Sequence, residues 1–69
     1  MHSVNRTLGG RALAAKRVMA DLRMREVAAA MGVSKSRVNC IEHLDHVTAA
    51  TAARYSEAVR TAAIRGRTR

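Results

Sequence analysis

The 69-residue chain is long enough for one small domain, and its composition excludes several classes of protein. It carries a formal net charge of +8, contains no proline, and has Tyr55 as its only Phe, Trp or Tyr residue. Much of its 48% hydrophobic content is alanine, which favours helix and fills little volume. No long alternating β-branched run predicts a sheet. We therefore expect an all-α fold, a compact bundle of four helices, or five, around a thin core.

The charge balance predicts a polyanionic partner, most often nucleic acid. Arginines crowd both ends of the chain, and no acidic residue lies among Arg60, Arg65, Arg67 and Arg69. A membrane partner is not expected, because membrane-surface helices need bulky anchors that are scarce here. The alanine runs are too short to span a bilayer, and the N-terminus lacks the apolar core of a signal peptide. The single Cys40 suits a reducing cytoplasm.

Glycines and polar caps divide the chain into segments. Residues 1–9 are predicted to form a flexible arm, 10–64 the folded domain and 65–69 a basic, frayed tail. Within the domain, helical signals predict four elements. The first runs from near Gly10 to about Asp21, and the second covers residues 24–31. The third runs from about Lys35 to Glu42 or His43. The fourth runs from a Thr48 cap to about Ile64, with Ala52, Tyr55 and Val59 facing inward.

The segment between the second and third helices has the residues of a tight turn. Gly32 can take a positive φ at the end of one helix. Ser34 can cap the next helix by accepting a backbone N–H near Arg37. Val38 and Ile41, three residues apart, indicate the buried side of that helix. Two short helices crossing at a steep angle are therefore expected.

The opposite side of the third helix is predicted to be free, positive and almost without acid. Such a surface suits insertion into the major groove of DNA, which admits one α-helix. Its residues are Ser36, Asn39, Cys40 and His43, flanked by Lys35 and Arg37.

Residues 22–42, LRMREVAAAMGVSKSRVNCIE, resemble the helix-turn-helix of the Cro and phage-repressor (XRE-type) DNA-binding proteins. Weaker similarity covers roughly residues 11–60. The resemblance implies sequence-specific binding of double-stranded DNA by a small prokaryotic or phage transcriptional regulator in the cytoplasm. Residues 34–43 would form its recognition helix. The positions that match outright are Leu22, Glu26, Ala28, Gly32, Val33, Ser34, Ser36, Ile41 and Glu42.

The resemblance also implies roles for individual side chains. It places Lys35, Ser36 and Cys40 at base-reading positions, with Asn39 beside them, and it pairs Arg17 of the first helix with Glu42 at the end of the third. Backbone phosphates would be bound by residues of the helix-turn-helix and of both chain ends. These are Arg23, Arg25, Ser34 and Arg37, together with Arg6, Arg11, Arg65 and Arg67.

Three departures from the family pattern change these expectations. Met24 replaces the polar residue that often binds a phosphate, so that contact is expected to shift to Arg23 and Arg25. Cys40 replaces a longer polar side chain. The family's fifth helix, often used for dimerisation, is missing or merged into the fourth. The partner state expected is a monomer in solution or a weak dimer on DNA.

Other functions are weighed against this one. An antitoxin-type protein that binds both DNA and a protein partner is the main alternative. Cys40, His43, Asp45 and His46 could ligate a metal, but a structural zinc site usually needs more than one cysteine. No metal or cofactor is therefore expected. An enzyme is not expected either, because the sequence has no paired carboxylates, activated nucleophile or phosphate-binding glycine loop.

Overall fold

A computed structural model describes residues 9–67, which form an all-α fold. The predicted fold class is confirmed. The described part of the chain contains four helices and no strand. These helices are α1 (Gly10–Met19), α2 (Met24–Met31), α3 (Lys35–Glu42) and α4 (Ala49–Arg67). None of them is both long and apolar enough to cross a membrane.

One small core joins the four helices, with α1 and α2 each packing against both α3 and α4. Tyr55 is the one large aromatic side chain in it, and it is fully buried. Val47 in the loop before α4 is buried too, although the sequence indicated only a loop there. The fully buried side chains of largest volume are Tyr55, Leu13, Ile41, Val27, Val38 and Val47.

The inward face of α4 is rotated slightly from the face predicted. Tyr55 is buried as expected, but Ala52 and Val59 are only half-buried. Ala58 and Ala62 are instead the buried neighbours of Tyr55 along the helix. Because alanine has little volume, this face lets the partner helices approach α4 closely.

The first helix ends two residues earlier than predicted, at Met19. Asp21 takes the left-handed conformation, with φ 61°, and is the one non-glycine residue with positive φ in the described chain. The Asp21 N–H donates to the Val18 carbonyl at 2.9 Å, and the Leu22 N–H donates to the Arg17 carbonyl at 3.1 Å. This pair of bonds is a Schellman motif, and it turns the buried Leu22 into the core.

The second helix ends with the same motif, here built on the predicted Gly32. Its φ is 75°, and its N–H donates to the Ala29 carbonyl at 3.3 Å. The Val33 N–H donates to the Ala28 carbonyl at 3.0 Å. Both the predicted turn and the bounds of α2 are confirmed.

Gly10 begins α1 as predicted, and it also lies directly against the end of α3. Its N–H donates to the Leu44 carbonyl at 2.8 Å. A Cβ atom at Gly10 would collide with the backbone carbonyls of Ile41 and Glu42. The close approach of α1 to the end of α3 therefore requires glycine at this position.

The fourth helix begins as predicted and extends further than predicted. Thr48 caps it, since its Oγ1 accepts the Thr51 N–H at 3.2 Å. The helix continues to Arg67 rather than ending near Ile64, so Arg65 belongs to a helix and not to a frayed tail.

Candidate nucleic-acid interface

The α2–turn–α3 unit is held to the core by apolar residues on its inner side. Val27 and Ala28 of α2 are 0% and 4% exposed, and Val38 of α3 is fully buried. Ser34 caps α3, because its Oγ accepts the Arg37 N–H at 3.1 Å. These contacts fix the rotation of α3 about its axis and therefore decide which of its side chains face outward.

The C-terminal end of α3 is held by a buried polar cluster of three side chains, Arg17, Glu42 and Tyr55. The Arg17 Nε donates to Glu42 Oε2 at 2.7 Å, and Nη2 donates to Oε1 at 3.1 Å. The Tyr55 hydroxyl donates to Glu42 Oε2 at 2.5 Å. The Arg17–Glu42 pair implied by the family resemblance is confirmed. The contact of Tyr55 with Glu42 was not predicted, although the hydroxyl of a buried tyrosine usually has a hydrogen-bond partner.

The cluster favours an ionised Glu42. Burial raises the pKa of the Glu42 carboxyl, but hydrogen bonds from Arg17 and Tyr55 outweigh that effect, so its pKa lies below the ordinary value. The hydrogen bond with Glu42 raises the pKa of Arg17. Burial and then the Glu42 carboxylate raise the pKa of Tyr55. The pair is therefore a full ion pair at neutral pH, with a neutral phenol as the second donor.

The opposite side of α3 is exposed along its whole length, as predicted. Glu42 is the one acidic residue in α3, and it is turned into the core. The outer face therefore carries positive charge without nearby acid on the same helix. All six of its residues are exposed: Lys35, Ser36, Arg37, Asn39, Cys40 and His43.

One hydrogen bond orders this outer face. The His43 Nδ1 lies 2.8 Å from the Asn39 carbonyl oxygen. A carbonyl oxygen can only accept, so Nδ1 carries the hydrogen and Nε2 is left for another partner. The backbone carbonyl of Asn39 therefore accepts the His43 ring N–H. The side-chain amide of Asn39 is exposed and has both donor and acceptor groups.

The predicted phosphate-binding residues fall at several places in the fold. Arg23 and Arg25 are exposed at the start of α2, where they border an open hollow with Asp21 and Glu26. Glu26 Oε1 accepts the Arg23 N–H at 2.7 Å, a contact that caps the start of α2. The sequence did not identify this role for Glu26, because the usual capping-box signal has a Ser or Thr three residues earlier, where this chain has Arg23.

The remaining predicted phosphate contacts are spread more widely. Arg11 is exposed on α1 near the end of α3. Arg65 is exposed near the end of α4 and lines a hollow with Glu26. Arg6 and the side chain of Arg67 lie outside the described residues. The α2–turn–α3 unit therefore contains Arg23, Arg25, Ser34 and Arg37, whereas Arg11 belongs to α1 and Arg65 to α4.

The four residues that were weighed as possible metal ligands do not form a cluster in the part of the chain described. No three His, Cys, Asp or Glu side chains within residues 9–67 come together in a way that could hold an ion. Cys40 lies on the outer face of α3, whereas Asp45 and His46 belong to the loop that follows. The geometry therefore offers no support for the zinc alternative within these residues.

The chain was compared with models of protein families, with curated proteins and with solved structures. No match was found. The resemblance of residues 22–42 to Cro and phage repressors therefore rests on the residues themselves and stays a prediction. The features that bear on function are the exposed face of α3 and the buried contacts that hold this helix in place.

Proposed function

We propose that this chain is a sequence-specific DNA-binding regulator of the Cro and phage-repressor type, which inserts α3 into the major groove. The observation that carries the proposal is the outer face of α3, which is exposed, positive and free of acid. Its inner side is anchored by Val38, Ile41 and the Glu42 cluster. A rigidly held helix with a free polar face is what groove recognition needs.

The size of the outer face fits one groove. Eight residues make α3 about 12 Å long, and the major groove is about 12 Å wide. Ser36 and Cys40 are short side chains, so the helix backbone can approach the base edges closely. Asn39 can form paired hydrogen bonds with adenine, and Lys35 can donate to guanine. These four residues are the proposed base-reading set.

Phosphate contacts would position the helix in the groove without reading sequence. Arg23 and Arg25 at the start of α2 and Arg37 at the start of α3 supply charge beside the reading face. Ser34 precedes α3 and can contribute a backbone or hydroxyl donor. Arg6, Arg11, Arg65 and Arg67 would add contacts from the two ends of the chain.

The assembly and location follow from the same proposal. We place the protein at DNA in the cytoplasm of a prokaryotic cell or a phage-infected host. No more than a weak dimer on DNA is expected, because the cationic residues near the end of α4 repel their own copies. An antitoxin-type protein would keep the same DNA-binding face and add a protein partner.

The salt dependence of DNA binding tests the proposal. Binding to a labelled duplex, followed by fluorescence anisotropy, should weaken with salt with a log–log slope of roughly −4 to −5. Arg25→Gln and Arg37→Gln should each reduce the magnitude of the slope by about 0.9. Arg60→Gln is the control, because its guanidinium is already paired with Glu57 at 2.6 Å on an exposed surface. A slope near zero for the unchanged protein would contradict the proposal.

A further inference from the structure

We propose that a backbone phosphate of the bound DNA occupies the open hollow at the C-terminal end of α3, and that His43 makes this contact dependent on pH. The inference rests on the proposed function, because it takes α3 to be docked on DNA. It adds a ligand-binding residue, His43, and places the phosphate contact proposed for Arg11 in a defined hollow. It also adds a form of regulation that no base contact would produce.

The hollow lies where the start of α1 meets the end of α3. It has a volume of about 580 Å³ and is open to solvent. Arg11 from α1, His43 from α3 and Asp45 from the following loop line it. The hydrogen bond from the Gly10 N–H to the Leu44 carbonyl holds these elements together. This backbone contact fixes the start of α1 against the loop that follows α3.

The charges around the hollow nearly cancel until His43 gains a proton. Glu42 also borders the hollow, but its carboxylate is neutralised by Arg17. The positive charge of Arg11 then faces the negative charge of Asp45. Protonation of His43 gives the lining a net charge of about +1, which attracts a phosphate.

The orientation of His43 gives the proton a direct effect on the ligand. Nδ1–H is bonded to the Asn39 carbonyl, so the neutral ring presents the lone pair of Nε2 outward. A lone pair cannot bind a phosphate oxygen, which is also an acceptor. The protonated ring presents an Nε2–H instead and can donate a charge-assisted hydrogen bond. The same nitrogen thus changes from repelling to binding the phosphate.

The position of His43 along the helix favours a phosphate over a base. In the helix-turn-helix geometry, the N-terminal residues of the recognition helix contact base edges. His43 directly follows the last residue of α3, on the same face as Ser36 and Asn39. In the proposed docking, the far end of the helix would lie nearest the sugar–phosphate backbone, and Arg11 lines the hollow at that same end.

Anisotropy measurements with the full chain and a labelled mixed-sequence duplex of about 20 base pairs test this inference. Between about pH 8 and about pH 5.5, where imidazole gains its proton, affinity should increase about fivefold. The salt slope should increase in magnitude by about 0.9. In His43→Gln both changes should disappear, and circular dichroism should show the same helical content at both pH values.

Matched variants separate His43 from the other titrating groups. His46→Gln and His2→Gln should keep the pH response of the unchanged protein. Arg11→Gln should weaken binding at both pH values, and Asp45→Asn should strengthen it at both. The midpoint of the His43 ring titration, followed by NMR, should move upward when DNA is added, because proton and phosphate binding are coupled.

Two outcomes distinguish a failure of this inference from a failure of the proposed function. If DNA binds but His43→Gln responds to pH like the unchanged protein, the phosphate site at His43 is wrong and the DNA-binding role stands. An unchanged ring titration in the presence of bound DNA leads to the same conclusion. If the duplex does not bind at either pH, the proposed function itself is wrong.

Discussion

The two sides of α3 differ in how their polar groups are satisfied. On the inner side, Glu42 is 7% exposed and accepts hydrogen bonds from both Arg17 and Tyr55. On the outer side, Asn39 and Cys40 are exposed. One short helix thus separates the contacts that stabilise the fold from the groups offered to a ligand. Substitutions on the two sides should therefore have different effects.

The largest effect expected is a loss of specific binding when a bulky group is placed on the outer side. A maleimide should react with Cys40 in the folded protein, since the thiol is exposed and is the one cysteine in the chain. The adduct would fill the space between α3 and the bases. Specific affinity, measured by anisotropy, should fall by about 10³-fold or more, toward the non-specific level.

The fold and the residual salt-dependent binding should survive that modification, because the arginines are untouched. Bound DNA should protect the thiol from the reagent. A thiol that reacts only after unfolding would mean that α3 is rotated from the position described, and the comparison of its two sides would fail.

The next largest effect is expected from the inner side. Glu42→Gln removes the charge that pairs with the mostly buried Arg17 and should cost about 3 kcal/mol of unfolding free energy. In a domain of this size that corresponds to a melting temperature lower by about 12–24 °C. Thermal unfolding followed by circular dichroism measures the change.

Glu57→Gln is the matched control for that variant. Glu57 pairs with Arg60 at a similar distance, 2.6 Å, but both side chains are about two-thirds exposed. An exposed pair contributes little, so this variant should change stability by less than about 1 kcal/mol. Equal effects of the two variants would show that burial of the Glu42 cluster has no energetic importance.

Acidification should lower the unfolding free energy of the unchanged protein reversibly, and by less than Glu42→Gln does. The pKa of Glu42 is lowered in the folded protein, so its contribution is complete above the ordinary glutamate value of 4.5. It is lost as the pH falls through the lowered folded value. Stability from chemical denaturation should therefore decrease below about pH 4.5 in the unchanged protein, and decrease less in Glu42→Gln. Parallel pH profiles would contradict an ionised, hydrogen-bonded Glu42.

The smallest effect on stability is expected for Cys40→Ser. Because the thiol is exposed, the free energy of unfolding should change by less than about 0.5 kcal/mol. The variant should mainly alter base preference, measured by selection of bound sequences from a random pool. A strongly destabilised variant with unchanged preference would assign Cys40 to the inner side.

Much of α3 and its turn could be predicted because local residues determine them. Gly32 with positive φ and Ser34 as a cap are short-range signals. Val38 and Ile41 fixed the buried side through helical periodicity alone. The outward position of Cys40 followed from the same spacing.

The features that were missed depend on contacts distant in the chain or on rarer local chemistry. The end of α1 was placed too late because aspartate is an uncommon residue for the left-handed position that Asp21 takes. The close packing of Gly10 on the end of α3 joins residues about thirty positions apart. The extension of α4 to Arg67 passes through Gly66, a residue type that local signals associate with the end of a helix.

The burial of Tyr55 has a consequence for how the protein can be observed. Tyr55 is the only Phe, Trp or Tyr residue, so all tyrosine emission and near-ultraviolet circular dichroism of the protein come from one side chain. Its hydroxyl is bonded to an ionised carboxylate in the core, a contact that quenches tyrosine fluorescence. Unfolding breaks this contact, and emission should then rise. The protein therefore contains a built-in optical reporter of its core, on the side of α3 that faces away from the proposed DNA site.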